Sequence, residues 1–317
     1  MKVIVPIDNN PDAQSLIDAL IGMKWYPCTE IELLTLVPRW VEYEAAQVTI
    51  PASLAELEAL AVELRKTLPH CKIAFTIKEG NAKTGIISFA QEVDADLILM
   101  SSTSSNPLEG GARGSVTHSV LDHAECPVFF ARPTYEGLLD PQNGFRNVLV
   151  PVDDSRYSEA AMQWLLNFYW SSQTRFTLVS AVQHQDAVEV AKKNLQTKIE
   201  LMQPALGNHI SYLVVPGEPA ETIIRLAYEN LADLIVIGSH ARTGLRKLVL
   251  GCVSEALADR APCPVAVVRG ILPNDTSWHR TGVFAKPKSF ETTHADPPPR
   301  KKTWNADLPH CVPSGMH

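Results

Sequence analysis

Cysteine is scarce and poorly spaced for structural work: the six in 317 residues, at 28, 71, 126, 252, 263 and 311, form no C-x-x-C pair. A chain this large builds a core without staples, so neither a disulfide framework nor a zinc site is expected, and reduced thiols are the default. Long apolar runs are also missing. No stretch approaches the roughly 18 consecutive apolar residues of a bilayer span. The start, MKVIVPIDNN, has no long apolar segment followed by a small-residue cleavage site. Together these predict a soluble, cytoplasmic protein with no membrane partner. Basic charge is short as well: residues 1–140 hold 10 Lys and Arg against 19 Asp and Glu, residues 141–272 hold 12 of each, and the remaining 45 hold 6 against 4. An acidic first half and a neutral second half offer nothing to a polyanion, so no nucleic-acid partner is expected. Two nucleotide motifs are absent too. There is no complete P-loop with its Lys and Ser or Thr, which argues against an ATP hydrolase, and no G-x-G-x-x-G after the first strand, which argues against NAD and flavin.

What the sequence does contain is a duplication. KVIVPID at 2–8 matches NVLVPVD at 147–153, ADLILMSS at 95–102 matches ADLIVIGS at 232–239, and ECPVFFAR at 125–132 matches PCPVAVVR at 262–269, the last two pairs sharing an offset of 137. With 45% hydrophobic and 20% charged residues, the chain carries enough apolar material for two medium cores. The boundaries read as a first domain at 1–133, a linker rich in Pro, Gly and Asn at 134–145, a second domain at 146–272, and a tail at 273–317 with few aliphatics, expected to be flexible. Each domain opens with a short continuous run of Val, Ile and Leu, the pattern of a strand buried on both faces. Strands are predicted near 2–7, 31–37, 72–78, 96–101 and 127–131, with helices near 11–21, 53–67, 83–93 and 115–124. The second domain repeats this, with strands near 147–152, 175–182, 210–215, 233–237 and 264–268 and helices near 157–168, 185–202, 220–230 and 252–260. Strict alternation implies an α/β fold: two tandem Rossmann-like domains, each a five-stranded, mostly parallel sheet covered by helices on both faces.

In open parallel sheets ligands bind beyond the carboxyl ends of the strands, which directs attention to the loops after strands one and four. In the second domain the loop after strand four reads GSHARTGLRKLVLGCVSEAL at 238–257. Glycine lets a phosphate approach the backbone, a helix start offers unpaired amides, and Arg242, Arg246 and Lys247 add opposite charge. The same glycines also read as strand-exit and helix-start residues, and the basic run as a solvated face. His240 has no sequence partner that would make it a base, and no catalytic residue is assigned.

The V-P-[IV]-D repeat, the G-S-H-x-R-T-G-L-x-x-x-x-L-G-x-V-S segment and P-C-P-V-x-V-V resemble the universal stress protein family in its tandem form, over both domains. That resemblance implies an adenine nucleotide alpha hydrolase-like variant of the fold. It also implies a nucleotide loop of Gly, two residues, Gly, nine residues, Gly, then Ser or Thr. The second domain keeps the spacing as Gly238, Ala241, Gly251 and Cys252, followed by Val253 and Ser254. The first keeps it as Ser101, Ser104, Gly114 and Ser115, followed by Val116 and Thr117. Ala241 carries roughly 1–2 kcal/mol of strain if that position needs a left-handed backbone, and Cys252 replaces a hydroxyl donor with a weaker thiol at about 0.5–1.5 kcal/mol. Ser254, two residues on, is expected to donate in its place. In the first domain Glu109 adds negative charge where a phosphate would lie, offset only by Arg113, so the second site is favoured. By the same resemblance Asp8 and Asp153 face the adenine or ribose, and Val37 and Val182 line the base pocket. From the residues alone, those Asp are equally turn or cap residues and those Val equally core.

The implied function is non-enzymatic adenine-nucleotide binding or sensing in stress adaptation, with ATP, accompanied by Mg or Mn, as the expected ligand. The two domains are expected to pair with each other, and a homodimer stays open. The alternatives are a nucleotide-free interaction module and, behind it, a weak ATP hydrolase.

Overall fold

The computed structural model describes residues 1–7, 13–38, 43–102, 114–134, 139–207, 209–239 and 251–269. The first module runs β1 (Lys2–Pro6), α1 (Ala13–Gly22), β2 (Glu30–Val37), α2 (Tyr43–Thr67), β3 (Lys72–Glu79), α3 (Ala82–Glu92), β4 (Leu97–Ser101), α4 (Ser115–His123) and β5 (Val128–Ala131). The second runs β6 (Asn147–Pro151), α5 (Arg156–Leu165), β7 (Arg175–Val182), α6 (Val188–Leu206), β8 (Ile210–Pro216), α7 (Pro219–Glu229), β9 (Leu234–Ser239), α8 (Cys252–Arg260) and β10 (Val265–Arg269). Strand pairing within each module is parallel, as the unbroken aliphatic runs require. Burial follows position in the sheet. The inner strands β4 and β10 are buried at every residue, whereas β3 and β8, at the two ends, are partly exposed along most of their length.

The two sheets are one. The strand order is β3-β2-β1-β4-β5-β10-β9-β6-β7-β8, and the join is the antiparallel pair β5–β10. Its register sets Phe129 opposite Ala266, flanked by Phe130 opposite Val265 and Val128 opposite Val267. Phe129 and Ala266 are equivalent under the offset of 137 found in the sequence, so the local two-fold axis passes between them. Helices α3, α4, α7 and α8 cover one face, and the apolar cluster beneath them runs unbroken across the join through Ile4, Met100, Phe130, Val265, Ile237 and Leu149. On the other face α1 packs on β4 and β5, and α5 on β9 and β10.

That face has a second seam between the modules. Tyr169 donates its amide to the Lys24 carbonyl at 2.9 Å, the Trp25 and Phe168 rings meet edge to face at 5.6 Å, and Tyr26 lies on Tyr169 at 4.1 Å. The seam explains why α5 stops at Leu165 rather than at the predicted 168: the chain must turn there to deliver Phe168, Tyr169 and Trp170. Two other boundaries differ. Backbone α2 begins at Tyr43, ahead of the start expected near 53, and continues through Pro51, and α6 extends past the expected 202 to Leu206 through Pro204. A proline in the last turn forfeits one helical hydrogen bond, which packing readily offsets.

Among the described residues no helix is long and apolar enough to cross a membrane. Cys71, Cys126, Cys252 and Cys263 are free thiols.

Candidate functional site

Strands β6 and β9 are neighbours, paired at Val148–Leu234 and Leu149–Ile235. Beyond their carboxyl ends the chain leaves β6 for one face and β9 for the other, which opens a crevice at the switch point. The crevice is a cleft of about 250 Å³. Apolar walls come from Val152, Val179, Ala181, Ile223 and Ile237, and polar groups come from Asp153, Ser155, Ser158 and the segment Gly251–Ser254.

The floor is built by a glycine. A Cβ on Gly238 would lie 2.0 Å from the Tyr157 carbonyl oxygen and 2.8 Å from the Ser158 nitrogen. The first turn of α5 therefore packs directly on the end of β9, and only glycine admits it. At the rim, Asp153 forms the turn that its neighbours suggested. Its Oδ1 accepts from the Ser155 amide at 3.0 Å and from the Ser155 hydroxyl at 2.5 Å. Ser155 caps α5 by accepting from the Ser158 amide, and the Ser158 hydroxyl donates to the Asp153 carbonyl at 2.7 Å. Asp153 is at once a turn residue and an exposed part of the cleft lining.

Opposite lies the start of α8. Side chains cap α3, α5 and α7, from Asn81, Ser155 and Glu218 respectively. Gly251, the residue at the N-cap of α8, has extended backbone angles and no side chain to offer. The first helical amides thus meet the cleft with their partial positive charge, and among the described residues no N-cap side chain covers them. Cys252 is exposed, Val253 partly buried, and Ser254 is 2% exposed. The Ser254 hydroxyl donates to the Gly251 carbonyl at 3.0 Å, so it is occupied within its own helix and does not replace the donor lost at Cys252. Its backbone remains part of the rim.

Val182 does not line the cleft. It is buried at the end of β7, and its carbonyl accepts from the Gly217 amide at 2.9 Å; Val37 is likewise buried and accepts from Gly80 at 2.8 Å. Strand alternation turns Val179 and Ala181 to the cleft in place of Val182. In the first module Ser101 is buried at the end of β4, Gly114 occupies the N-cap of α4, Ser115 is exposed, Val116 packs on the core, and Thr117 is fully buried with its hydroxyl unpartnered. Asp8, Ser104, Glu109, Arg113, His240, Ala241, Arg242, Arg246, Lys247 and the tail lie outside the described residues. Sequence reasoning missed Pro219 and Ile223 of α7, although Gly217-Glu218-Pro219 is a helix-start signal immediately after a strand. Cys263 is fully buried, and burial pushes its thiol far above the ordinary range, which makes it a packing residue. No group of three or more His, Cys, Asp or Glu suited to a metal occurs among the described residues.

The sequence model of the universal stress protein family matches residues 1–132 and again 144–269. The chain belongs to the universal stress protein family. Among its relatives, Universal stress protein Rv2005c of Mycobacterium tuberculosis is 27% identical over 244 residues, covering 73% of this chain and 78% of the relative. Universal stress protein Rv2623 of the same species is 30% identical over 190 residues, 56% of this chain and 62% of the relative. A crystal structure of a universal stress protein from Archaeoglobus fulgidus covers 85% of this chain and 98% of its own at a TM-score of 0.65 and 17% identity. A functionally unknown Pseudomonas aeruginosa protein, PA1789, follows at 0.57 and 19%, covering 85% of this chain and 92% of its own. At such identities the shared property is the fold, that of a tandem universal stress protein.

Proposed function

We propose that the second module of this universal stress protein binds an adenine nucleotide, ATP in the first instance, and serves as a sensor in stress adaptation rather than as a hydrolase. One observation carries the reading: the start of α8 has no side-chain cap and opens on a cleft with apolar walls at the switch point of the sheet. Apolar walls suit a flat base, and uncapped amides suit its phosphates. A divalent ion, Mg or Mn, would be carried on the phosphates, because Asp153 is the one carboxylate among the described cleft-lining residues. That carboxylate already holds the turn before α5, which favours binding over proton transfer.

The experiment is calorimetric titration of the full chain with ATP, ADP and AMP, alongside acid release of nucleotide from freshly purified protein. Micromolar ATP binding at one site per chain is expected. Absence of both binding and released nucleotide would overturn the reading in favour of an interaction module.

A further inference from the structure

Each module ends its last strand with an arginine that should not be comfortable there. Arg132 follows β5 and Arg269 closes β10; the two are equivalent under the repeat, and each is only 5% exposed. A buried guanidinium is stable only where carbonyls or carboxylates receive it. Here each crosses the join. Arg132 of the first module donates from Nη1 to the Ala261 carbonyl at 3.0 Å and from Nη2 to the Ala258 carbonyl, at the carboxyl end of α8. Arg269 of the second module donates from Nη2 to the Leu121 carbonyl, the matching position of α4.

The sequence supplies the reason. A helical carbonyl at 258 would normally accept from the amide at 262, but residue 262 is Pro and has none. Arg132 takes that vacant acceptor and the carbonyl of the C-cap residue Ala261, and it brings a cation to the negative end of the helix. The two clamps are unequal. Arg132 reaches two carbonyls, through Nη1 and Nη2, while Arg269 reaches one through Nη2, and its Nη1 is buried with no hydrogen-bond partner. The firmly held helix is α8, whose other end faces the cleft.

We propose that Arg132 is a positioning residue contributed by the first module: by clamping the carboxyl end of α8 it sets where the amino-terminal amides of α8 stand at the cleft of the second module. Nine residues of helix form a rod of roughly 13 Å, short enough that a slip at one end appears at the other. Hydrogen bonds of about 2.9 Å do not survive a slip of 1 Å. The acidic first module, with its altered loop, thus acts through its last strand on the site of its partner. For ligand binding this rests on the nucleotide reading of that cleft, whereas the clamp itself does not.

The test uses the full chain with Arg132→Gln, Arg132→Lys and Arg269→Gln, read by hydrogen exchange without ligand and by ATP titration. In Arg132→Gln, amides 255–261 should exchange faster, and ATP affinity should fall about tenfold, the value of one lost charged hydrogen bond. Arg132→Lys, which keeps the charge and one donor, should show the same changes to a smaller degree, and it serves if the Gln variant does not fold. Arg269→Gln, from the same buried join, should speed exchange at 118–124 and leave ATP affinity within about twofold. Unchanged exchange in α8 in the Arg132 variants, or equal loss of affinity in Arg132→Gln and Arg269→Gln, overturns the proposal. If the wild type binds no ATP while α8 alone responds to Arg132, the clamp stands and the nucleotide reading falls.

Discussion

A methyl group at Gly238 would sit 2.0 Å from the Tyr157 carbonyl oxygen and 2.3 Å from its carbon. Neither atom belongs to a flexible side chain. Gly238→Ala must therefore push the first turn of α5 away from β9, at a cost on the order of 1–3 kcal/mol, the usual range for overpacking. A lowered urea midpoint with an unchanged slope is the expected reading. Because Asp153 and Ser155 belong to the displaced turn, ATP affinity should fall with it. A variant as stable as the wild type would show that the close approach is not what glycine is needed for. Gly238 and Gly251 were both legible as candidate site residues, but their different roles were not. Gly251 stands at the N-cap of α8 in the cleft lining, and its position at a helix start is local information. Gly238 works against Tyr157, some 80 positions earlier in the chain, a proximity that no window of sequence contains. The spacing of Ser254 was legible in the same way, but the inward turn of its hydroxyl was not.

Among the elements, β6 and β9 are held in register at their starts by one carboxylate. Asp233 accepts from the Arg146 amide at 2.7 Å and from the Asn147 amide at 3.0 Å; in the first module Asp96 accepts from the Lys2 amide at 2.7 Å. The ADLI repeat made both aspartates visible, but only as a repeat, since a strand clamp is defined by which amides come to meet it. Burial pushes the Asp233 carboxyl up to about 6, against the opposing pull of the two amides and of the Arg146 charge. An unfolded Asp titrates near 4. Between about pH 4 and pH 6 the native state thus holds a proton that the unfolded state has released, so this group makes stability fall as pH rises through that window and leaves it flat above. Asp233→Asn has no such group. Measured by urea unfolding, the wild type should lose on the order of 1–3 kcal/mol relative to Asp233→Asn between pH 4 and pH 7. A constant difference between the two would show that folding leaves the Asp233 carboxyl unshifted.

At the scale of the whole molecule, the duplication, the strand and helix order and the doubly covered sheet were all legible, because buried parallel strands and amphipathic helices write their periods into local sequence. The fusion of two sheets into one was not, since either edge of each sheet was open to pairing and nothing local chooses between them. The choice is written in side-chain volume at the local two-fold axis. Self-pairing of β5 between two chains would set Phe129 against Phe129, and self-pairing of β10 would set Ala266 against Ala266. The first overfills the axis and the second leaves it hollow. Only the mixed pair, Phe129 with Ala266, fills it once, with both residues fully or almost fully buried. Phe129→Ala should cost about 3–5 kcal/mol through the cavity it leaves, and Ala266→Phe about 1–3 kcal/mol through crowding. The double exchange conserves volume across the axis, so it should be more stable than the sum of the single changes predicts by roughly 2 kcal/mol. A double-mutant cycle by urea unfolding, with sedimentation to follow oligomeric state, measures this coupling. Strict additivity would mean that the volume match at the axis does not hold the modules in their mixed pairing, and the aromatic seam of Trp25, Tyr26, Phe168 and Tyr169 would then be the element that selects it.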